Sequence, residues 1–551
     1  MELMTDSSKV WDLQKSIYRH LKRRAKSIEG EVSEELNRYE RNQRKYASRP
    51  FEVSNLEKLL KSIEASDVVF LGDFHSFDQN TRNLERLTRA LIKQRKKFVL
   101  GVELVHQEHQ PVLESYLRRE ITEIEFLEQI NYHESWRFPW IHYRPFFEMA
   151  RTYSLPIIAL NTNGSLMERD QNAADKVKSF MENTPGERLL ILFGELHIVA
   201  NKLPKMVEQE LTKIVPNYQQ TIIHQNLDEV YWKLHEIDIE NHNQIVTFKE
   251  TEYSLQTAPP WIKYESMIYW YENLSDDPEF ELHDYTLTDG VHGLHSNVPE
   301  NFIFLCQKIA KTLSLKITEE ELEDFNLYEH QNLKILLDKI GRIPKHSVVQ
   351  FHKNLVKEGR VFRIPFSNNY YCSSYSINRM TYLAGLHLQD IIIRKENINY
   401  ESIWMASGLS KKFILIVKQT AFGFLSSKIV NPFRKCDRYL DFLDNLTRVN
   451  IDPRSRVILE TTISIIENQG RRELKAILPK DRMPIVYEAA RKLGFYLGDF
   501  IYEDQLIKDG ENYKDILQYL VNANLEEAKF QDILLDLLPE NLYLNHRKRY
   551  F

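Results

Sequence analysis

Residues 68–80 read VVFLGDFHSFDQN and residues 189–199 read LLILFGELHIV. Each is an apolar run of strand length that stops at glycine, an acid, an apolar residue and histidine: Gly72-Asp73-Phe74-His75 and Gly194-Glu195-Leu196-His197. A short apolar run without polar alternation is what a strand buried on both faces requires, as in a parallel sheet. Three more such runs follow the same rule: KFVLGVELV, LPIIALN and QQTIIHQNL. Helical patterns separate them, among them RNLERLTRALIKQ, EIEFLEQI, RPFFEMARTY and LPKMVEQEL. Strand and helix in alternation predict an α/β fold, a mostly parallel sheet with helices on both faces. Thr122 and Glu125 have the spacing of a capping box, with Ile121 and Phe126 placed as its hydrophobic staple. Pro145 suits the first position of the helix that carries Phe146, Phe147 and Met149.

The chain has 551 residues, of which 28% are charged, with a formal net charge of -6. That length predicts roughly two to four domains. Residues 1–50 read as a helical extension, with Val10, Leu13, Ile17 and Leu21 on one face. Residues 51–230 form the α/β domain, and residues 231–300 an irregular aromatic-rich connection or its completion. From residue 301 to 551 helical patterns dominate, so a mainly α-helical C-terminal region is expected. The ordinary charge balance argues against a nucleic-acid partner, and the short basic stretches RNQRK and VNPFRKCDRY read as solvated faces. Cys306, Cys372 and Cys436 are too far apart for a CxxC pair, a disulfide scaffold or a cysteine zinc site. The first fifteen residues lack the pattern of a secretory signal, and no apolar run of about 18 residues stands in the sequence. The expected compartment is therefore the cytoplasm, without a transmembrane segment. No Gly-x-Gly-x-x-Gly, Walker A loop or Gly-x-Ser-x-Gly elbow is present, which removes dinucleotide, P-loop and serine-hydrolase readings.

In a parallel α/β sheet, ligands bind outside the carboxyl ends of the strands. The polar residues there are Asp73 and His75, Glu103, Asn161, and Glu195 and His197. Histidine with carboxylate can bind a divalent metal and acidify its water. Without metal, a carboxylate can orient a histidine that acts as general base. Histidine or tyrosine can also ligate haem iron within an apolar pocket. His106 and His109 read as loop residues after a strand. Trp136, Trp140, His142, Tyr143 and Arg144 form an aromatic and cationic cluster able to pack in the core or face a planar or anionic ligand. His283, Asp284, Asp289, His292 and His295 read as hydrated loop residues, with a His-x-x-His pair that could ligate metal.

The segment from Val68 to about Leu211 resembles the ChaN-like haem-binding uptake domain, of the superfamily that includes erythromycin esterases, TraB-type proteins and Tiki proteases. The resemblance rests on the paired Gly-x-x-His motifs and Glu103, and on three longer stretches. GVELVHQEHQPVLESYLRREITEIEFL is similar to the family's strand-Glu-helix segment. WIHYRPFFEMARTYSLPIIALN is similar to its Tyr-x-Pro helix and a strand ending in Asn, and ERDQNAAD to its Arg-Asp-x-x-Met-Ala segment. Asp73 stands where the family often has Glu, one methylene longer. The resemblance implies binding of haem or a related iron cofactor, with a role in iron or haem handling. Tyr143, His75, His197, Arg144 and Asn161 are then the cofactor-binding residues, Tyr143 the first choice of iron ligand. Its alternative is a metal-dependent hydrolase. Asp73, His75, Glu103 and His197 would hold a divalent metal, and His75, Glu103, Glu195 and His197 would be catalytic. A non-catalytic interaction protein is the second alternative, and a homo-oligomer is compatible with each.

Overall fold

The computed structural model describes residues 6–30, 32–94, 98–237, 245–274, 298–329, 332–365, 367–373, 375–396, 408–468, 471–480, 482–508, 510, 512–539 and 542. The cluster His283, Asp284, Asp289, His292 and His295 lies outside the described residues. The chain divides into two compact units, residues 21–291 with 549–551, and residues 1–20 with 292–548.

The first unit is built on an eight-stranded sheet. Its strands are β1 (Glu52–Val53), β2 (Val68–Asp73), β3 (Val99–His106), β4 (Ile157–Asn161), β5 (Leu189–Gly194), β6 (Gln220–Gln225), β7 (Ile245–Lys249) and β8 (Glu252–Leu255). Their order is β1-β7-β8-β6-β2-β5-β3-β4. From β8 to β4 every pairing is parallel, and β7 runs antiparallel to both β8 and β1. The fold class expected from the sequence is the one found. Alternation along β2 explains why its run is apolar throughout. Val69 and Leu71 face a core shared with the helices α3 (Leu56–Ala65), α4 (Asp78–Lys93), α5 (Gln110–Leu117), α6 (Glu123–Gln129) and α8 (Trp140–Tyr153). Val68 and Phe70 face the opposite core, filled by α9 (Leu166–Asn183) and α10 (Leu203–Leu211). Fully burying each Leu, Ile or Phe stabilises by about 1.5–3 kcal/mol, so both faces need apolar residues.

The edge strand β4 is protected by side-chain amides. Gln110 donates to Ile157 O at 3.0 Å and accepts from Ala159 N at 2.8 Å, and Gln107 donates to Leu160 O at 3.2 Å. These amides stand in for a neighbouring strand and blunt an edge open to pairing. The Thr122–Glu125 capping box forms as expected. Pro145 departs from expectation: α8 begins at Trp140, and Pro145 lies inside it. Trp140 packs on Tyr132, Phe126 and Phe147, and this packing carries the helix a turn earlier than the proline suggests. The stretch read as irregular after residue 230 also has order. It supplies β7, β8 and the helix α12 (Pro260–Leu274), after α11 (Asp228–Ile237).

The second unit is mainly helical, with a small sheet in which Asn369–Tyr371 pairs with Phe362–Arg363 and Asn326–Tyr328. Its centre is the helix Leu409–Val430, packed against Ile377–Lys395 and Met483–Phe500. By length and composition the Leu409–Val430 helix could cross a membrane, yet 94% of its apolar window is buried inside the protein. Its lysines interrupt the run, so the stretch is not an unbroken apolar one. Lys418 donates to Asn522 O and Asn524 O at 2.7 and 2.8 Å, and Lys428 is buried between Asp499 and Glu503. Burial pushes the Lys418 amine down to about 7.

At the crossing with Met483–Phe500 the backbones touch. A Cβ on Gly498 would stand 2.5 Å from Ala421 O and 3.1 Å from Phe424 Cβ. Backbone cannot yield as a flexible side chain can, so Gly498→Ala is expected to destabilise this unit by about 1–3 kcal/mol. Urea denaturation of the full chain checks it, and a midpoint equal to that of the unsubstituted protein would refute the close crossing.

Candidate functional site

The carboxyl ends of β2, β5 and β3 lie side by side, with Asp73 in register with Gly194 and Val102 with Leu192. This brings the two opening motifs together, through different turns. His197 N–H donates to Gly194 O at 2.9 Å, so Gly194-Glu195-Leu196-His197 is itself a tight turn. His75 sits in the next turn along, closed by Phe77 N–H to Phe74 O at 2.7 Å. Both imidazoles end close to Gly194. A Cβ built there would meet Glu103 Oε2 at 3.2 Å, His197 Cδ2 at 3.2 Å and His75 Nε2 at 3.3 Å.

Each histidine is held by an aspartate. His75 Nδ1 is 2.9 Å from Asp73 Oδ2, which also accepts from the Tyr143 hydroxyl at 2.9 Å. His197 Nδ1 is 2.6 Å from Asp170 Oδ1, and Asp170 Oδ2 accepts from the Tyr39 hydroxyl at 2.8 Å. With Nδ1 committed in both, Nε2 is the nitrogen each ring keeps for another partner, and that of His75 lies 3.8 Å from Glu103 Oε2. Burial works against a charged His75, but the hydrogen bond and charge of Asp73, with Glu103, more than offset it and raise its pKa. Glu103 is buried too; Arg169, the two histidines and the Gly194 N–H hold its carboxyl below the usual range. Its Oε2 accepts from Gly194 N at 2.5 Å, and its Oε1 pairs with Arg169. Glu195 is pushed up by burial, against the charge of Lys263. Lys263 Nζ lies 3.7 Å from Glu195 and 3.4 Å from Asp228.

These groups open onto a cavity of about 360 Å³. Phe74, Phe138, Met267, Trp270 and Tyr271 give it a largely apolar and aromatic wall. His75 lies edge-on to Trp136 at 4.5 Å and close to Phe138 at 5.0 Å. The remaining wall comes from the N-terminal helices α1 (Asp6–Glu29) and α2 (Glu34–Ala47), through Lys22, Lys26, Leu36, Gln43 and Arg44.

Residues 59–173 match the family model described as haem-binding uptake, Tiki superfamily, ChaN. The ChaN-like resemblance read from the sequence therefore holds for this segment, which carries Asp73, His75, Glu103, Tyr143 and Asp170. A solved structure titled "Cofacial heme binding to ChaN of Campylobacter jejuni" is similar at 14% identity, with a TM-score of 0.26, over 37% of this chain and 96% of that one. No curated protein matches the chain.

Asp73, His75, Glu103, Glu195 and His197 all line the cavity. Other expected residues do not. Tyr143 is fully buried behind Asp73, and burial together with the Asp73 charge pushes its phenol well above the ordinary value. It is placed as a neutral donor to Asp73 rather than as an iron ligand on the wall. Asn161 sits behind the wall, accepting from Arg169 Nε at 3.1 Å. Arg144 is exposed and pairs with Glu123 at 3.0 Å. His106 and His109 flank Glu108, away from the cavity, and Trp140 and His142 are core residues. The expected metal set is not assembled either. Asp73 Oδ2 is committed to His75 and Tyr143 and Glu103 to Arg169, and among the described residues no three His, Cys, Asp or Glu side chains are grouped to hold an ion.

Sequence reasoning missed Asp170, Arg169, Tyr39 and Lys263. Asp170 had a signal, since it lies in the ERDQNAAD stretch. Tyr39 and Lys263 had none, because only the tertiary fold carries α2 and α12 to the strand ends.

Proposed function

We propose that the first unit binds haem in this cavity and serves haem or iron handling. The observation that carries the reading is His75: Nδ1 held by Asp73, ring packed against Trp136 and Phe138, on the wall of an aromatic-walled cavity. The match of residues 59–173 to a haem-binding uptake family supports it. Bound haem supplies an iron centre that accepts an imidazole nitrogen. Asp73 would fix the tautomer that leaves the His75 Nε2 lone pair available, with Tyr143 steadying Asp73. Phe138 and Trp270, stacked at 4.4 Å, offer a flat apolar surface. Lys26 and Arg44 can face the carboxylates of the ligand.

Titration of the purified full chain with hemin tests this. A saturable Soret shift is expected, weakened about tenfold or more in His75→Ala. Tyr143→Phe should weaken binding less than His75→Ala, because its hydroxyl reaches the site only through Asp73. No saturable shift, or one indifferent to His75→Ala, would sink the reading.

A hydrolase working by general acid–base chemistry is the second reading. It is favoured by two His–Asp pairs converging beside Glu195, a carboxyl raised by burial. His75, Glu103, Glu195 and His197 would act on a bound ester or amide. Turnover of an ester library that disappears in His197→Ala would support it, and no turnover by the unsubstituted chain would remove it.

A further inference from the structure

The helix α2 precedes the ChaN-like segment, yet one of its faces lies against the site. Glu35, Tyr39 and Gln43 recur at four-residue spacing, so they share that face. The Glu35 carboxylate accepts from Leu166 N and Met167 N, both at 3.2 Å, at the start of α9. Its charge there is favoured by the positive end of the α9 dipole. One turn further on, the Tyr39 hydroxyl reaches Asp170 on the same helix. Gln43 ends on the cavity wall with Glu195.

Tyr39 is 1% exposed and its ring meets His197 edge-on at 5.6 Å. Lys202 Nζ covers its other side, 3.8 Å from the ring centre. Asp170 is fully buried and divides its oxygens, Oδ2 to Tyr39 and Oδ1 to His197. On the opposite side of the site, Tyr143, Asp73 and His75 repeat the same series of hydroxyl, carboxylate and imidazole. The two series differ in origin. Tyr143, Asp73 and His75 all lie in the matched segment, whereas Tyr39 and His197 lie on either side of it and only Asp170 is within it.

We propose that Tyr39 is a positioning residue of this site: through Asp170 it holds His197 with Nδ1 as donor and Nε2 toward the cavity. A buried carboxylate with two oxygens and one imidazole partner is free to rotate or to pair bidentately. A hydroxyl donor on the second oxygen removes that freedom and leaves one orientation for the ring. Docking of α2 thereby sets the state of His197.

The test uses the full chain and three variants, Tyr39→Phe, Gln43→Ala and Asp170→Asn. Nitrogen-15 and proton NMR of the imidazole of His197, recorded without ligand, reads its tautomer and the Nδ1–H hydrogen bond. Tyr39→Phe keeps the ring contacts and removes one O–H. It should displace or broaden the Nδ1–H resonance, as Asp170→Asn does more strongly. Gln43→Ala removes a side chain from the same helix face without touching Asp170 or the bonds that dock α2, and should leave that resonance in place. An unchanged resonance in Tyr39→Phe, or an equal displacement in Gln43→Ala, would overturn the proposal. Circular dichroism of each variant separates misfolding from either outcome, and a Tyr39→Phe protein that fails to fold would mark the hydroxyl as structural and also overturn it. A parallel hemin titration rests on the haem reading: weaker binding in Tyr39→Phe extends the role to the ligand. Absence of binding in every form counts against that reading and leaves the NMR result standing.

Discussion

Alanine at position 194 is expected to weaken ligand binding in the cavity by roughly tenfold or more while the sheet stays folded. Gly194 lies at the point where His75, His197 and Glu103 converge, with each within 3.3 Å of the position a Cβ would take. Its backbone is not in the left-handed region that only glycine favours, so the substitution acts by bulk alone. None of the three neighbours can retreat freely. His75 is fixed by Asp73, His197 by Asp170, and Glu103 by Arg169 and the Gly194 N–H itself. Overpacking of this kind costs about 1–3 kcal/mol, equivalent to roughly ten- to hundredfold in affinity where the strain falls on ligand-facing groups. Hemin titration should therefore show binding weakened by at least that factor in Gly194→Ala. The far-ultraviolet circular dichroism should be that of the unsubstituted chain. Binding retained within twofold would mean that the ligand does not use the space in front of Gly194.

The sequence makes the parallel core legible because burial on both faces leaves no alternative to a continuous apolar run, as in VVFLG and LLILF. The same reasoning locates Asp73, Glu103 and Glu195, since parallel neighbours end at one edge. Legibility stops where partners come from distant chain segments. Tyr39 is one aromatic residue on a highly charged helix, and nothing local says that its hydroxyl meets Asp170, 131 residues away. The α12 stretch PWIKYESMIYWYENL failed for the opposite reason. It carries apolar residues on all sides, and a helix buried nearly all round shows no periodic face. Tyr143 is ambiguous in sequence because a tyrosine next to an arginine before a strand can serve a ligand or a core, and the fold buries it behind Asp73. Arg144, one residue on, turns to solvent as helical geometry requires of neighbours in sequence.

Glu252→Gln is expected to cost about 3 kcal/mol at neutral pH and to remove much of the first unit's acid sensitivity. Glu252 on β8 is 3% exposed; its Oε2 accepts from Arg49 Nη1 at 3.1 Å, and its Oε1 accepts from His224 Nε2 at 3.2 Å and from Arg49 Nη2. Burial alone would raise its pKa, but the hydrogen bonds and charges of His224 and Arg49 hold it down at about 2, against an ordinary 4.5. A carboxyl whose folded pKa is depressed adds stability that is present above the unfolded pKa and is lost as pH falls through the folded one. Each unit of depression corresponds to about 1.4 kcal/mol, which gives the figure of about 3. The window is therefore from about pH 4.5 down to about pH 2. Urea denaturation at pH 7 should show the full deficit in Glu252→Gln, and the gap to the unsubstituted chain should narrow as the pH is lowered through that window. A gap that stays constant between pH 7 and pH 2.5 would assign the loss to packing rather than charge. The pair also matters to the site. Arg49 follows α2 directly and stacks on Tyr46 and Phe248 at 4.5 and 4.9 Å, so its bond to Glu252 fastens the end of α2 to the sheet. Losing that anchor should loosen the helix that presents Tyr39 to Asp170. Glu252→Gln is accordingly expected to broaden the His197 Nδ1–H resonance in a variant that alters no cavity-lining residue.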